Sequence, residues 1–451
     1  MTKRASKQIK IESGEVAEKI YAQEPFALPD ANAQVELIYP NKVSEKDLLT
    51  SCDSTFVAMS KMGGADSISA ISPNAIVFAD NFFGLQSLLG AHAGKVNLIY
   101  ADPPFGTGLA FQSRQQQHAY VDRFGPATYV EFMRRRLILM RELLADDGSI
   151  YLHIGHQMLF HLKMTMDEVF GRANFRNLIV RKKCSSKNYT KHQYPNLNDY
   201  ILFYSKSKQW KWNQPGMPAS PEWVTREYSK VDAKGRYKLV PIHAPGVRNG
   251  ETGKEWKGVF PPKGKHWQFT PAKLDELDEK GEIYRSRNNN PRRKVYLEDG
   301  KQLPLTDYWG QFRDAHHQSI EITGYPTEKN LDMMRTIVSA SSNEGDLILD
   351  PFMGSGTTLQ AANEGKRRWI GIDESLAATE ATLRRLRHGL SAMGDYVQRK
   401  AAPVVDLFGA DVQTAQQFGP ITKAVEARFS FVVDSTLYEQ YKSEMERMAA
   451  L

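Results

Sequence analysis

Two short segments of the 451-residue chain carry residue types arranged for chemistry. The first, Asp102-Pro103-Pro104-Phe105, follows the apolar run Val96 to Ala101. Two successive prolines can continue neither a central strand nor a helix interior, so the chain must turn there. The turn gathers a carboxylate, a backbone carbonyl and an aromatic face. The Asp102 carboxylate and the Pro103 carbonyl can accept the two hydrogens of an exocyclic base amine. That draws the delocalised nitrogen toward tetrahedral geometry, while Phe105 stacks on the attached ring. Alone, four residues of this kind recur in loops by chance and decide little.

The second segment runs Leu347-Ile-Leu-Asp350-Pro351-Phe352-Met-Gly354-Ser355-Gly356-Thr357-Thr358. A buried strand ends in an acid, and a glycine-rich turn opens straight into a helix. Glycines there let the backbone approach a ligand that a Cβ would exclude. A phosphate-cradling loop would need a lysine before its hydroxyl residue, and none is present. The Gly-x-Gly-x-x-Gly spacing of dinucleotide folds does not fit either. Asp350 has the wrong charge for phosphate and the right one for an ammonium or sulfonium. Roughly 20 residues on, Asp373 ends another strand, placed to accept from ribose hydroxyls. S-adenosylmethionine carries a ribose, an ammonium and a sulfonium, and meets all three demands.

The elements that must position these segments read as alternating strands and helices. Strands are expected at 74–80, 96–101, 149–154, 177–183, 199–204, 346–350 and 368–373. Helices are expected through Leu89 and over 128–144, 328–339, 357–364 and 374–390, with another ending near Phe170. Strands alternating with helices argue for a parallel sheet covered on both faces, a doubly wound α/β fold. Both chemical turns follow strands, so they open at the carboxyl edge where such sheets bind ligands. A further helix-like piece lies around Ile11 to Gln23. After Ser205 the periodicity fades, and six of the seven tryptophans fall between Trp210 and Trp309.

Charge is uneven. The net charge is +7, yet residues 176–300 hold about 26 Lys and Arg against about 13 Asp and Glu. This reads as a phosphate-facing surface. For most of the aromatics in that segment, a small core of their own is the better reading. Cys52 and Cys184 are the only cysteines, too far apart in sequence to suggest a disulfide scaffold or a zinc site. His316-His317 lack acid or thiol partners at a ligand spacing and read as loop histidines, so no metal is expected. No stretch approaches the roughly 20 apolar residues of a membrane span. The basic start, Met1 to Lys10, is not followed by the apolar run of a secretory signal. A reducing, cytoplasmic setting away from membranes is the expectation.

Taken together, the two segments resemble those of the amino-methyltransferases that modify DNA. The catalytic turn preceding the cofactor turn is similar to the family's beta-type permutation. The resemblance covers about residues 75–205 and 320–390. It includes Ala79-Asp80-Asn81, Val169 to Phe175, Asp199 to Lys206 and Tyr325-Pro-Thr-Glu-Lys329-Asn330. It departs at Phe105, where Tyr is frequent, at Ala79, where Gly is usual, and at Asn330, where Pro is common. None of these removes a reacting group.

The resemblance implies a Rossmann-like methyltransferase sheet with an inserted target-recognition module. The expected divisions are an N-terminal extension (1–72), a catalytic half (73–204), the insert (205–318), a cofactor-binding half (319–392) and a C-terminal tail (393–451). It implies transfer of a methyl group from S-adenosylmethionine to the N6 amine of an adenine rotated out of double-stranded DNA. Asp102, Pro103, Pro104 and Phe105 would form the catalytic turn. Asp80, Asn81, Lys329, Asp350, Pro351, Phe352, Gly354, Ser355, Gly356, Thr357 and Asp373 would border the cofactor. Lys182, Lys183, Arg285, Arg287, Arg292 and Arg293 are candidate phosphate contacts. The alternatives left open are cytosine-N4 or RNA methylation, or a DNA-specificity subunit guiding a nuclease. Partners besides DNA would be a restriction endonuclease and a second copy of the chain.

Overall fold

Ala75–Phe78 and Leu347–Asp350 are short runs, apolar but for Asp350, in which every residue is buried, and all but Asn97 are buried in Val96–Ala101. Strands without an exposed face must be covered on both sides, which is the doubly wound arrangement. In the computed structural model the described residues are 35–54, 59–61, 74–105, 110–112, 118–121, 125–184, 192–312, 328–389 and 429–450. The stretch from Ile11 to Gln23 and His316-His317 lie outside them. Contacts divide the chain into two units, Met1–Asn213 with Asp307–Leu451, and Gln214–Thr306.

The first unit is built on a 10-stranded sheet. Its strands are β1 (Met59–Lys61), β2 (Ala75–Phe78), β3 (Val96–Ala101), β4 (Leu144–Ile154), β5 (Phe175–Lys182), β6 (Asn198–Ser205), β7 (Tyr308–Trp309), β8 (Leu347–Asp350), β9 (Arg368–Asp373) and β10 (Ser430–Asp434). Their spatial order is β1-β10-β2-β9-β8-β3-β4-β6-β5-β7. From β10 to β4 all neighbours are parallel, while β6 runs antiparallel between β4 and β5. The helices include α1 (Glu45–Ser54), α2 (Asn81–His92), α3 (Pro126–Leu143), α4 (Leu159–Phe170), α5 (Leu331–Ser341), α6 (Thr357–Glu364) and α7 (Leu376–His388).

Chain order reverses between β3 and β8. The chain leaves β3 through α3 to β4 on one side, and leaves β8 through α6 to β9 on the other. Ile348 and Leu349 pair with Leu98 and Ile99. Asp350 and Asp102 therefore emerge side by side at the carboxyl edge, at the switch point where α/β sheets open a crevice.

The second unit has its own four-stranded antiparallel sheet, in the order Lys230–Asp232, Gly235–Pro241, Pro291–Tyr296, Ile283–Arg285. Trp256 and Trp267 are buried with Ile242, Leu274 and Leu277 in a separate core. Their indole N–H groups donate to Asp275 Oδ1 and the Lys254 carbonyl, both at 2.9 Å. These two aromatics are structural.

Two expected boundaries are corrected. The insert is narrower than 205–318, because backbone bonds hold Lys206, Lys211 and Asn213 to Gly148, Asp147 and Ala340 of the first unit. At the other end, β7 pairs in parallel with β5. The segment after residue 392 is not merely a tail, since β10 pairs with β2 and buries Phe431, Val432 and Val433. Phe431→Ala should therefore cost about 3–5 kcal/mol in urea unfolding, the range for a large core truncation. A dispensable tail would show no change.

Candidate active site

The Asp102 turn and the glycine-rich turn border one pocket, with Asp102 and Lys329 on one side and Asp350, Phe352, Gly354 and Ser355 on the other. Lys329 Nζ lies 2.6 Å from Asp102 Oδ2, and the two side chains are 11% and 17% exposed. Asp102 Oδ1 is buried and has no hydrogen-bond partner among the described residues. One carboxylate oxygen is thus held by a cation, and the other is left to accept. Pro104 is anchored from behind, its carbonyl accepting from the Tyr129 hydroxyl of α3. Phe105 rests beside the His153 ring, with centroids 5.7 Å apart.

The glycine-rich turn is braced from within. Gly356 has φ +74°, and a Cβ there would approach Thr382 Cγ2 to 2.7 Å, so the position requires glycine on two counts. Arg385, on α7, donates to the Ser355 carbonyl and to Thr357 Oγ1, both at 2.7 Å, and to Glu328 Oε1. The same arginine thereby ties the turn to Glu328, the neighbour of Lys329. Ser355 and Thr357 border the pocket but direct polar atoms to Arg385.

Burial dominates the acids of this edge. Desolvation pushes Asp350 up to about 7, with Asp102 and Asp373 adding to the shift. Burial likewise raises Asp373 to about 6, although it accepts from the backbone N–H groups of Gly354 and Ser375. A buried carboxylate short of a countercharge, beside a cleft opened by glycines, fits the ammonium and sulfonium of S-adenosylmethionine.

Known proteins resemble the chain over most of its length. Residues 96–384 match the N6/N4 family of DNA methylases. The chain is 52% identical to the type II methyltransferase M.EcaI of Enterobacter cloacae, over 93% of its own length and 91% of that protein. It is 27% identical to the StyLTI Mod subunit, a type III restriction-modification enzyme of Salmonella typhimurium, over 68% of its length but only 53% of the subunit. The M1.HpyAVI–SAM complex covers 69% of this chain and 98% of its own at 17% identity, with a TM-score of 0.38. The chain belongs to the N6/N4 DNA methylase family. It is an S-adenosylmethionine-dependent DNA methyltransferase.

Among the residues expected at the methylase site, the structure brings Asp102, Lys329, Asp350, Phe352, Gly354, Ser355 and Thr357 to one pocket. Asp80 and Asn81 stand after β2, on the far side of β9 from Asp350. Asp80 caps α2 through the Phe82 N–H and pairs with Arg136 at 3.0 Å, while Asn81 accepts from the same arginine. Lys182 ends β5 at the carboxyl edge of the first unit, followed by Lys183. The four candidate arginines lie in the second unit. There Arg287 and Arg292 are exposed, whereas Arg285 packs on Trp256 and Arg293 pairs with Glu282 at 3.7 Å. Sequence reading missed Tyr129, Arg385 and a polar row formed by Tyr100, His153, Asp199 and Arg181. For the row there was a signal: charged or polar residues within strands otherwise buried.

The raised Asp350 gives the methylase a pH signature. Its folded value lies above the usual carboxylate range, so the apoprotein loses stability as pH rises from about 4 to about 7. A cation bound at Asp350 requires the ionised form, so binding strengthens over the upper part of that range. In thermal-shift titrations, S-adenosylmethionine should stabilise the protein more at pH 8 than at pH 6, and Asp350→Asn should flatten that difference. An unchanged pH response in the variant would remove Asp350 from cofactor binding.

Proposed function

We propose that this methyltransferase acts on the N6 amine of an adenine rotated out of double-stranded DNA, as the modification partner of a restriction endonuclease. The observation that carries the reading is the divided carboxylate of Asp102, with Oδ2 held by Lys329 and Oδ1 buried and unpartnered among the described residues. In this reading Oδ1 and the Pro103 carbonyl accept the two amine hydrogens, and Phe105 stacks on the base. Lys329, paired with Oδ2 at 2.6 Å, fixes the carboxylate in one rotamer. S-adenosylmethionine supplies a methyl group activated by its positive sulfur. Asp350 would face the ammonium end, with Phe352 and the backbone of Gly354 shaping the cleft. Asp102 is also the nearest acceptor for the proton that the amine sheds. The work of the chain is positioning and electrostatics.

Adenine is favoured over cytosine by the aspartate that opens the catalytic turn, because the cytosine-N4 members it resembles more often carry serine there. Lys182, Lys183, Arg287 and Arg292 are the proposed phosphate contacts. A modification role is supported by the similarity to M.EcaI and to the StyLTI Mod subunit.

Expression in a methylation-deficient bacterial host should yield N6-methyladenine in digested DNA, and N4-methylcytosine would overturn the base assignment. Asp102→Ala should abolish the product while leaving cofactor affinity near wild type; equal loss of both would remove its catalytic role. Lys329→Met should slow transfer by about 10²-fold, the scale for losing one electrostatic contact to the reacting assembly.

A further inference from the structure

A continuous polar row crosses the sheet behind the catalytic turn, one residue from each of four adjacent strands. Arg181 of β5, fully buried, donates to Asp199 Oδ2 of β6 at 2.8 Å and to the Phe312 carbonyl at 2.8 Å. The same Asp199 oxygen is 3.1 Å from Nε2 of His153 on β4, which is also fully buried. His153 Nδ1 is 2.7 Å from the hydroxyl of Tyr100 on β3 and 3.8 Å from Asp102 Oδ1. Although burial opposes its charge, His153, Arg181 and Lys329 hold Asp199 well below the usual carboxylate range.

A sheet interior gains nothing in packing from such a row, since buried ion pairs recover their desolvation cost only in good geometry. What the row does is define one ring. The Asp199 carboxylate favours hydrogen on Nε2, which leaves Nδ1 to accept from Tyr100 and fixes the imidazole's orientation. That ring then lies under both ends of the catalytic turn. Its Nδ1 edge is toward the open oxygen of Asp102, and its face is beside Phe105. Gly155, two residues on, closes the seat, because a Cβ there would sit 3.1 Å from Phe105 Cδ2.

We infer that His153, held by Asp199 and Arg181, is a positioning residue that seats the Asp102 carboxylate and the Phe105 ring together. This rests on the catalytic role proposed above for Asp102 and Phe105. The row acts on the spacing between the oxygen that accepts the amine hydrogen and the ring that stacks on the base. A misplacement of about 1 Å at that spacing slows a reaction by about 10²-fold.

The test is single-turnover transfer from radiolabelled S-adenosylmethionine to genomic DNA of a methylation-deficient host. His153→Gln, which keeps an N–H toward Asp199, and Asp199→Asn are compared with wild type and with the double variant. Each single variant should slow transfer by about 10- to 100-fold, with dissociation constants for cofactor and DNA unchanged. The double variant should be no slower than the slower single one, because both act through one ring. Tyr100→Phe removes a single hydroxyl and preserves the core, so it remains informative if the others fold poorly; it should slow transfer several-fold. Wild-type rates in folded variants, multiplicative effects in the double variant, or losses that track weaker cofactor binding would each overturn the inference. Failure of the wild-type chain to methylate adenine would instead overturn the proposed function.

Discussion

The pairing of β3 with β8 is the constraint on which the rest of the molecule depends. Leu98 and Ile99 lie opposite Ile348 and Leu349, residues separated by about 250 positions and by the whole second unit. A parallel pair has no local turn to set its register, so the register here comes from burial on both faces. A slip of one residue would move Asp102 by about 3.3 Å relative to Asp350 and turn its side chain to the other face. The two chemical turns share a pocket because an aliphatic core holds that register.

Each turn is then stiffened by a different device. Behind the glycine-rich turn, the guanidinium of Arg385 spans the Ser355 carbonyl, the Thr357 hydroxyl and the Glu328 carboxylate. The Asp102 turn is held at its Pro104 carbonyl by Tyr129 and at Asp102 by Lys329, with the His153 ring beside Phe105. Glu328 and Lys329 are sequence neighbours, so one backbone segment joins the two devices.

Much of this was legible in the residues. Continuous apolar runs ending in acids announced β8 and β9, whose bounds agree with expectation at Asp350 and at Arg368–Asp373. Most aromatics of the insert read as a small core of their own, and Trp256 and Trp267 form part of one. What escaped has a common physical cause. Tyr129, His153, Arg181 and Arg385 act only through partners about 20 to 130 residues away, and no local spacing marks such pairs. The strand β10 was overlooked although Phe431-Val-Val433 is a short apolar run, because a sheet edge far along the chain has no neighbouring helix pattern to announce it. The insert limits were drawn where periodicity faded, but residues 206–213 lack periodicity and still bond to the first unit.

Charge balance explains why the site is built with unequal acids. Asp102, Asp350 and Asp373 crowd one sheet edge, and like charges in a buried region cannot all ionise at ordinary cost. Asp102 is neutralised within the chain, by Lys329. Asp373 accepts two backbone N–H groups and remains a brace of the glycine turn. Asp350 accepts the Phe352 N–H but has no cation at its side among the described contacts, and burial, with Asp102 and Asp373 nearby, lifts it to about 7. A ligand carrying positive charge completes the balance, whereas an anion would worsen it. The same arithmetic separates the two halves of the reaction. The acid proposed to touch the base has its cation within the chain, and the acid proposed to hold the cofactor has none among the described contacts. An edge organised in this way favours a cationic methyl donor over a phosphate-bearing cofactor, on electrostatic grounds that hold apart from family membership.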